Sequence, residues 1–64
     1  MTKELRELAR VAEAQGWEVT PTNSGHVRWR PKTGGLYFSG GTPSDKRALR
    51  NLRAALVRRG LQLT

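Results

Sequence analysis

The only histidine of this 64-residue chain, His26, begins a segment in which arginines alternate with apolar residues. An imidazole changes protonation state near neutral pH and can act as a general base, and guanidinium groups stabilise charge that builds up on a phosphate. Period-two alternation places His26, Arg28 and Arg30 on the same face of a strand. This pattern predicts an exposed general base beside two cations, on a face suited to nucleic acid. The alternative is that His26 only begins the strand and hydrogen-bonds the preceding turn.

A second group of cations follows in the C-terminal third of the chain. At about 100° per residue, Lys46, Arg50 and Arg53 share one flank of a helix, and Arg47 lies further round. No acidic residue follows Asp45, although an ordinary solvated helix face carries such residues at i,i+4 spacing. The pattern indicates binding to a nucleic-acid backbone, which gives affinity without sequence preference. A merely solvated helix face is the alternative.

The charge of the chain is unevenly distributed. Twelve Lys and Arg residues against five acidic ones give a net charge of +7. Residues 1–18 hold three basic and four acidic residues, net −1, whereas residues 19–64 hold nine basic and one acidic, net +8. Such asymmetry indicates a polyanionic partner, most simply a nucleic acid. A well-solvated surface is the other interpretation.

Composition argues against several kinds of site. The chain has no cysteine, which excludes disulfides and thiolate chemistry, and one histidine with five carboxylates does not readily form a zinc site. No hydrophobic run approaches the roughly 20 residues that span a bilayer, and no signal-peptide pattern is present. We therefore expect no metal, no cofactor and no membrane association, and a cytoplasmic protein.

Hydrophobic periodicity and turn residues divide the chain into five elements. Gly16 and Gly60 supply the left-handed stops of two helices, and Thr42, Pro43 and Asp45 predict the N-cap, first turn and capping box of the second. The predicted elements are a helix over 2–15, strands over 17–20, 26–30 and 36–39, and a helix over 42–59. The order α-β-β-β-α predicts one α+β domain over residues 1–64, with both helices on one face of a three-stranded antiparallel sheet.

Two helices can cover only one face of such a sheet, so the other face is expected to be open. Apolar residues should face the helices: Trp17, Val19, Val27, Trp29, Leu36 and Phe38. The open face should then carry Glu18, Thr20, His26, Arg28, Arg30, Tyr37 and Ser39. The Tyr37 ring would stack on a nucleic-acid base. On the second helix, the predicted buried residues are Ala48, Leu49, Leu52, Ala55 and Leu56.

Several short motifs are shared with a known protein family. They are Gly16-Trp17-Glu18-Val19 after the first helix, Ser24-Gly25-His26 at the start of the second strand, and a second helix with two Leu-Arg pairs that ends in Arg59-Gly60-Leu61. Through them the chain resembles the HicA-type toxins, and segment 42–47 looks like HicA-like proteins of actinobacteria and their phages. The resemblance implies a double-stranded-RNA-binding-domain-like fold and a metal-independent mRNA interferase paired with an antitoxin.

In that family the catalytic histidine directly follows Gly-Ser, and the resemblance assigns its role to His26, which here follows Ser24-Gly25. On the endoribonuclease hypothesis, Arg28 or Arg30 stabilises the charge on the phosphate. The RNA backbone is then held by Lys46, Arg47, Arg50 and Arg53. The alternative is a non-catalytic module that binds nucleic acid, an antitoxin or an acidic host protein, as a small phage inhibitor of its host would. A third hypothesis is a weak homodimer, in place of a monomer, through a strand edge or the open face.

Overall fold

The computed structural model describes residues 2–41 and 46–63, which form an α+β fold. Its elements are α1 (Lys3–Ala14), β1 (Glu18–Pro21), β2 (His26–Arg30), β3 (Tyr37–Gly40) and α2 (Lys46–Arg58). The predicted order α-β-β-β-α and the three-stranded antiparallel sheet, in strand order β1-β2-β3, are confirmed. The outer strands β1 and β3 each lie one residue further along the chain than predicted. The predicted cap residues Thr42, Pro43 and Asp45 lie outside the described residues.

Both helices end in the same hydrogen-bonded motif. The N–H groups of Trp17 and Leu61, which follow Gly16 and Gly60, each donate to a carbonyl oxygen five residues earlier, at 3.0 and 3.1 Å. The two glycines have φ of +91° and +105°, a left-handed conformation that favours glycine. Trp17 and Leu61 are both buried. Each helix stop therefore turns the next residue into the core.

The core lies between the two helices and one face of the sheet. Val27 and Trp29 of the central strand are 1% and 0% exposed. They belong to one buried cluster, which consists of Leu5, Leu8, Ala9, Ala12, Trp17, Val27, Trp29, Leu52, Leu56 and Leu61. Because this cluster contains residues of both helices and the inward residues of β2, both helices cover the same face, as predicted.

The inward face of β3 is the opposite of the predicted one. Tyr37 pairs with Trp29 and Ser39 pairs with Val27, and directly opposed residues share a face. Tyr37 and Ser39 therefore point toward the helices, and Phe38 lies on the open face, 52% exposed. The predictions that Tyr37 and Ser39 are on the open face and that Phe38 faces the helices are wrong.

The register that β3 adopts gives the Trp29 indole a hydrogen-bond partner. Its N–H group is buried and needs an acceptor, and Ser39 Oγ accepts it at 2.8 Å. The predicted register would have placed Leu36 and Phe38 inward, where neither side chain offers an acceptor. Leu36 is instead 49% exposed. The observed register therefore gives this buried donor an acceptor and leaves Leu36 and Phe38 exposed.

The buried face of α2 is narrower than predicted. Leu52 and Leu56 are buried, and Leu49 and Ala55 are half-buried. Ala48, which was predicted to be buried, is exposed. It lies beside β3, and since β3 is the last strand of the sheet, no further strand extends beneath this part of α2.

Replacing Ser39 by alanine should destabilise the fold by about 1–3 kcal/mol, because the buried Trp29 indole N–H would have no acceptor. Urea unfolding would show this as a lower midpoint with an unchanged slope. Thr33→Ala, in the exposed loop between β2 and β3, is the matched control and should change stability by less than about 0.5 kcal/mol. Equal midpoints for the two variants would contradict the role assigned to this hydrogen bond.

Candidate functional site

The turn before β2 holds the His26 backbone in place. The N–H of Gly25 donates to the Thr22 carbonyl oxygen at 3.2 Å, and the N–H of Thr22 donates to the His26 carbonyl oxygen at 2.8 Å. The N–H of His26 in turn donates to Thr22 Oγ1 at 3.2 Å. Gly25 completes the turn with φ of +82°. The histidine is thus anchored by its backbone while its side chain is exposed.

Two hydroxyl groups orient the His26 ring. His26 Nδ1 lies 3.2 Å from Ser24 Oγ, which lies 3.0 Å from Thr22 Oγ1. In one tautomer Nδ1–H donates to the Ser24 hydroxyl, which donates to Thr22 Oγ1, and Nε2 then carries the lone pair. In the other tautomer the Thr22 hydroxyl donates to Ser24 Oγ, whose hydroxyl donates to Nδ1, and Nε2 carries the hydrogen. Among the described residues Nε2 has no hydrogen-bond partner. One ring nitrogen is held and the other is free, and in the tautomer with hydrogen on Nδ1 the free Nε2 can act as a general base.

The two sequence-based hypotheses for His26 are therefore compatible, since the ring bonds to the turn through Nδ1 and keeps Nε2 free. Thr22 and Ser24 are positioning residues that the sequence-based hypothesis did not name. A signal for them was present, because hydroxyl residues two and four positions before a strand residue commonly bond to turn backbone and neighbouring side chains.

Arg28 and Arg30 follow on the open face, as predicted, but their environments differ. Arg30 lies opposite Glu18, and Arg30 Nη1 is 3.3 Å from Glu18 Oε1, so its charge is paired. Arg28 is half-buried and has no acidic partner within the described part of the chain. Both arginines line a groove of about 290 Å³ beside residues 34–36. Arg28, which is also nearer to His26 along β2, is the stronger candidate for binding a phosphate.

Phe38, rather than Tyr37, supplies the aromatic ring of the open face. Phe38 lies directly opposite Arg28, at a typical Cβ–Cβ separation of about 5 Å. Tyr37 faces the helices, where the Arg59 guanidinium lies 4.5 Å from its ring centre, so its predicted role as the stacking ring on this face is wrong. The signal that could have found Phe38 is the buried Trp29 indole, whose need for an acceptor favours Ser39 as an inward residue of β3.

His26 lies at the end of the sheet where Gly25 and Gly41 line one groove with Ala48 of α2. Its partner on β3 is the last residue of that strand. The turn before His26 touches the segment after β3, because a Cβ atom at Gly41 would overlap the carbonyl oxygen of Gly25. Lys46 and Arg47 begin α2 and are both exposed. They are the α2 cations nearest along the chain to this junction.

A second cationic surface lies on α2. Lys46, Arg50 and Arg53 line one groove of about 310 Å³, which confirms that they share a flank. Arg53 also borders α1 in a neighbouring groove, so this flank is on the α1 side of α2. Because both helices cover the inner face of the sheet, the α2 groove is separate from the open face. The structure therefore brings His26 together with Arg28, but not with Arg50 or Arg53.

No three His, Cys, Asp or Glu side chains are placed to hold a metal ion in residues 2–41 and 46–63. Within the same residues, neither helix has the length and apolar character needed to cross a membrane. In comparisons with known proteins, no family model, curated protein or solved structure matches the chain. Function must therefore be inferred from the open face and from the distribution of charge.

Proposed function

We propose that the chain is a small HicA-like toxin that binds RNA and cleaves it with His26 as the general base. The observation that supports this most is the hydrogen-bonded set Thr22, Ser24 and His26, which holds Nδ1 and leaves Nε2 free on an exposed face. Arg28 lies two residues along the same face, roughly 7 Å away along the strand, and has no acidic partner among the described residues. A free base beside an unpaired cation suits a ribose hydroxyl and its neighbouring phosphate.

In the proposed reaction, His26 Nε2 takes the proton of a ribose 2′-OH. The 2′-oxygen then forms a bond to the adjacent phosphorus, and the bond from phosphorus to the 5′-oxygen of the next nucleotide breaks. The imidazolium returns its proton to that 5′-oxygen, so the products are a 2′,3′-cyclic phosphate and a 5′-hydroxyl. Arg28 stabilises the negative charge that builds up on the phosphorus oxygens. The step requires no further reactant.

The open face favours single-stranded RNA as the substrate. Phe38 and Arg28 are cross-strand neighbours, so a base can stack on the phenyl ring while its phosphate binds the guanidinium. Base stacking on an aromatic ring is worth about 1–3 kcal/mol, and a duplex does not expose the faces of its bases. A messenger RNA in the cytoplasm fits this requirement. An acidic antitoxin protein would complement the net charge of +7.

The test is cleavage of an RNA oligonucleotide in EDTA, compared with the same oligonucleotide carrying one 2′-deoxyribose at the cleaved position. We expect the RNA to be cut and its new end to carry a cyclic phosphate, detected by mass spectrometry. The modified oligonucleotide should bind equally well but stay intact at that position. Cleavage of both, or cleavage only with added metal, would contradict the proposed reaction.

Binding without cleavage is a second candidate function. It is favoured by the α2 groove, where three cations lie together with no catalytic side chain and apart from His26. On this hypothesis the chain holds a nucleic-acid backbone, or the acidic surface of an antitoxin or host protein, through charge alone. Such binding weakens steeply with salt and does not depend on His26.

Replacing Arg50 and Arg53 together by alanine should weaken RNA binding by a similar factor for every sequence. On single-stranded RNA, the slope of log affinity against log salt should fall by about 0.7 for each phosphate that is no longer neutralised, or about 1.4 for two phosphates. Fluorescence anisotropy at several salt concentrations measures this slope. The double variant of Arg6 and Arg10, two exposed cations of α1, is the matched control. Equal slopes for the two double variants would exclude the α2 groove as the binding surface.

A further inference from the structure

The two edges of the sheet differ in how they are protected. β1 includes Pro21 and lies beside α1. β3 forms the other edge and contains neither proline nor a charged residue. Proline, charged side chains and covering elements are the usual features that stop an edge strand from pairing with another chain. The β3 edge therefore lacks the protection that β1 has.

Exposed apolar side chains accompany this edge. Leu36 and Phe38 are 49% and 52% exposed. Residues 33–41 hold no charged side chain, although the chain as a whole has a net charge of +7. Two copies of such a basic chain repel each other least where the contacting residues are uncharged, and the residues of β3 are uncharged.

α2 leaves space beside β3. A groove of about 560 Å³ runs between the strand and the helix, lined on one side by residues 37–41. Its other side is formed mainly by Ala48, Asn51 and Leu52, none of which is charged. The cations Lys46 and Arg53 lie on the other flank of α2, toward α1. A strand added to β3 would thus find no covering element in this groove among the described residues, although the Arg59 guanidinium lies 4.5 Å from the centre of the Tyr37 ring.

We propose that β3 pairs antiparallel with β3 of a second copy of the chain, about a two-fold axis at Phe38. This register pairs every residue of 36–40 with a residue of the same segment, and it places the two Phe38 rings together on the open face. Such an interface is isologous, because the same patch serves both copies. The two sheets join into one of six strands, with an open face that carries two copies of the His26 site roughly 20 Å apart. The pairing needs neither RNA nor the His26 imidazole, but it places at the interface the Phe38 ring to which the proposed function assigns base stacking.

The charge of the edge favours a second copy over a peptide from another protein. An acidic partner would be expected to bind where cations are most numerous, and the residues of β3 carry no charge, whereas a neutral strand is complementary to itself. Outside the interface the two copies repel each other, and salt screens that repulsion. Dimerisation should therefore strengthen as salt rises, in contrast to RNA binding, which should weaken.

Sedimentation velocity over a range of protein and salt concentrations tests the proposal. The wild type should form a reversible dimer whose fraction rises with protein concentration and with salt. Phe38→Lys should remain monomeric under conditions in which the wild type is mainly dimeric. Val57→Lys, which adds the same charge at an exposed apolar position of α2, should dimerise like the wild type. A wild type that stays monomeric throughout, or equal disruption by both variants, would overturn the proposal.

Cysteine trapping tests the register. Because the chain has no native cysteine, every disulfide that forms must involve the introduced residue. Paired residues at a two-fold axis lie close enough for a disulfide after small adjustments. Under mild oxidation Phe38→Cys should give a disulfide-linked dimer whose yield rises with salt. Thr20→Cys, on the same face of β1, is the control for random collision. Equal cross-linking of the two variants would overturn the proposed register even if a dimer forms.

Discussion

Cleavage of RNA by His26→Ala should be about 10²–10⁴-fold slower than by the wild type, because the variant lacks the proposed general base. The side chain is exposed and outside the buried cluster, so the free energy of unfolding should change by less than about 0.5 kcal/mol. The measurement is kcat/KM on one oligonucleotide in EDTA, with RNA affinity determined in parallel. Affinity should change little, since most of the binding charge lies on arginine and lysine.

Ser24 provides the companion variants for that experiment. Ser24→Ala removes the hydroxyl that holds Nδ1 and should lower kcat more than it raises KM, by less than His26→Ala does. Ser24→Thr retains a hydroxyl and should retain most of the activity. In the host cell, induced expression of the wild type should arrest growth, and His26→Ala should not. Equal cleavage by wild type and His26→Ala would remove this side chain from the mechanism and leave binding as the function.

Loss of the Arg28 guanidinium should reduce cleavage by about 10²–10³-fold, the usual effect of removing one group that stabilises a charged transition state. Arg28 is suited to this role because it is half-buried and has no acidic partner in the described residues. Arg28→Lys keeps the charge but not the two parallel donors, and should recover only part of the rate. Single-turnover kinetics, with the Arg28→Ala variant at a concentration that saturates the RNA, measures the rate of the cleavage step separately from any loss of RNA affinity.

Arg30→Ala is the matched control for Arg28→Ala, because it removes the same side chain from the same strand and face. Arg30 is paired with Glu18 at 3.3 Å and lies roughly 13 Å from His26 along the strand. We expect its replacement to lower the rate by less than about tenfold. Similar losses for the two variants would show that the open face acts through general charge and not through a phosphate site at Arg28.

Local signals in the sequence were sufficient for the elements of this fold. Gly16 and Gly60 end the helices as predicted, because no other residue adopts their φ values so readily. The limits of β2 were also predicted correctly, since Val27 and Trp29 alternate with charged residues. β1 was predicted to end at Thr20, just before Pro21, but Pro21 is the last residue of the strand. An edge position tolerates proline, whose missing N–H is not needed on that side.

The candidate site was only partly predictable. The shared face of His26 and Arg28 followed from pleat alternation, which is a local property. The ring orientation did not, because it depends on hydroxyl groups of Thr22 and Ser24 that the turn brings together. The sequence also could not predict that the α2 groove is separate from the open face, because the side to which a helix presents its cations depends on the element that the helix packs against.

The sequence by itself determined the order of elements, the excess of positive charge and the exposed position of the one histidine. Only the tertiary structure decided which residues of β3 face the helices. Alternation allows two answers for that strand, and hydrophobicity alone favoured an inward Phe38. In the folded chain Ser39 faces inward instead, and its hydroxyl accepts the hydrogen bond of the buried Trp29 indole at 2.8 Å. The aromatic ring of the open face thus goes with a hydrogen bond between strands that only the folded chain brings together.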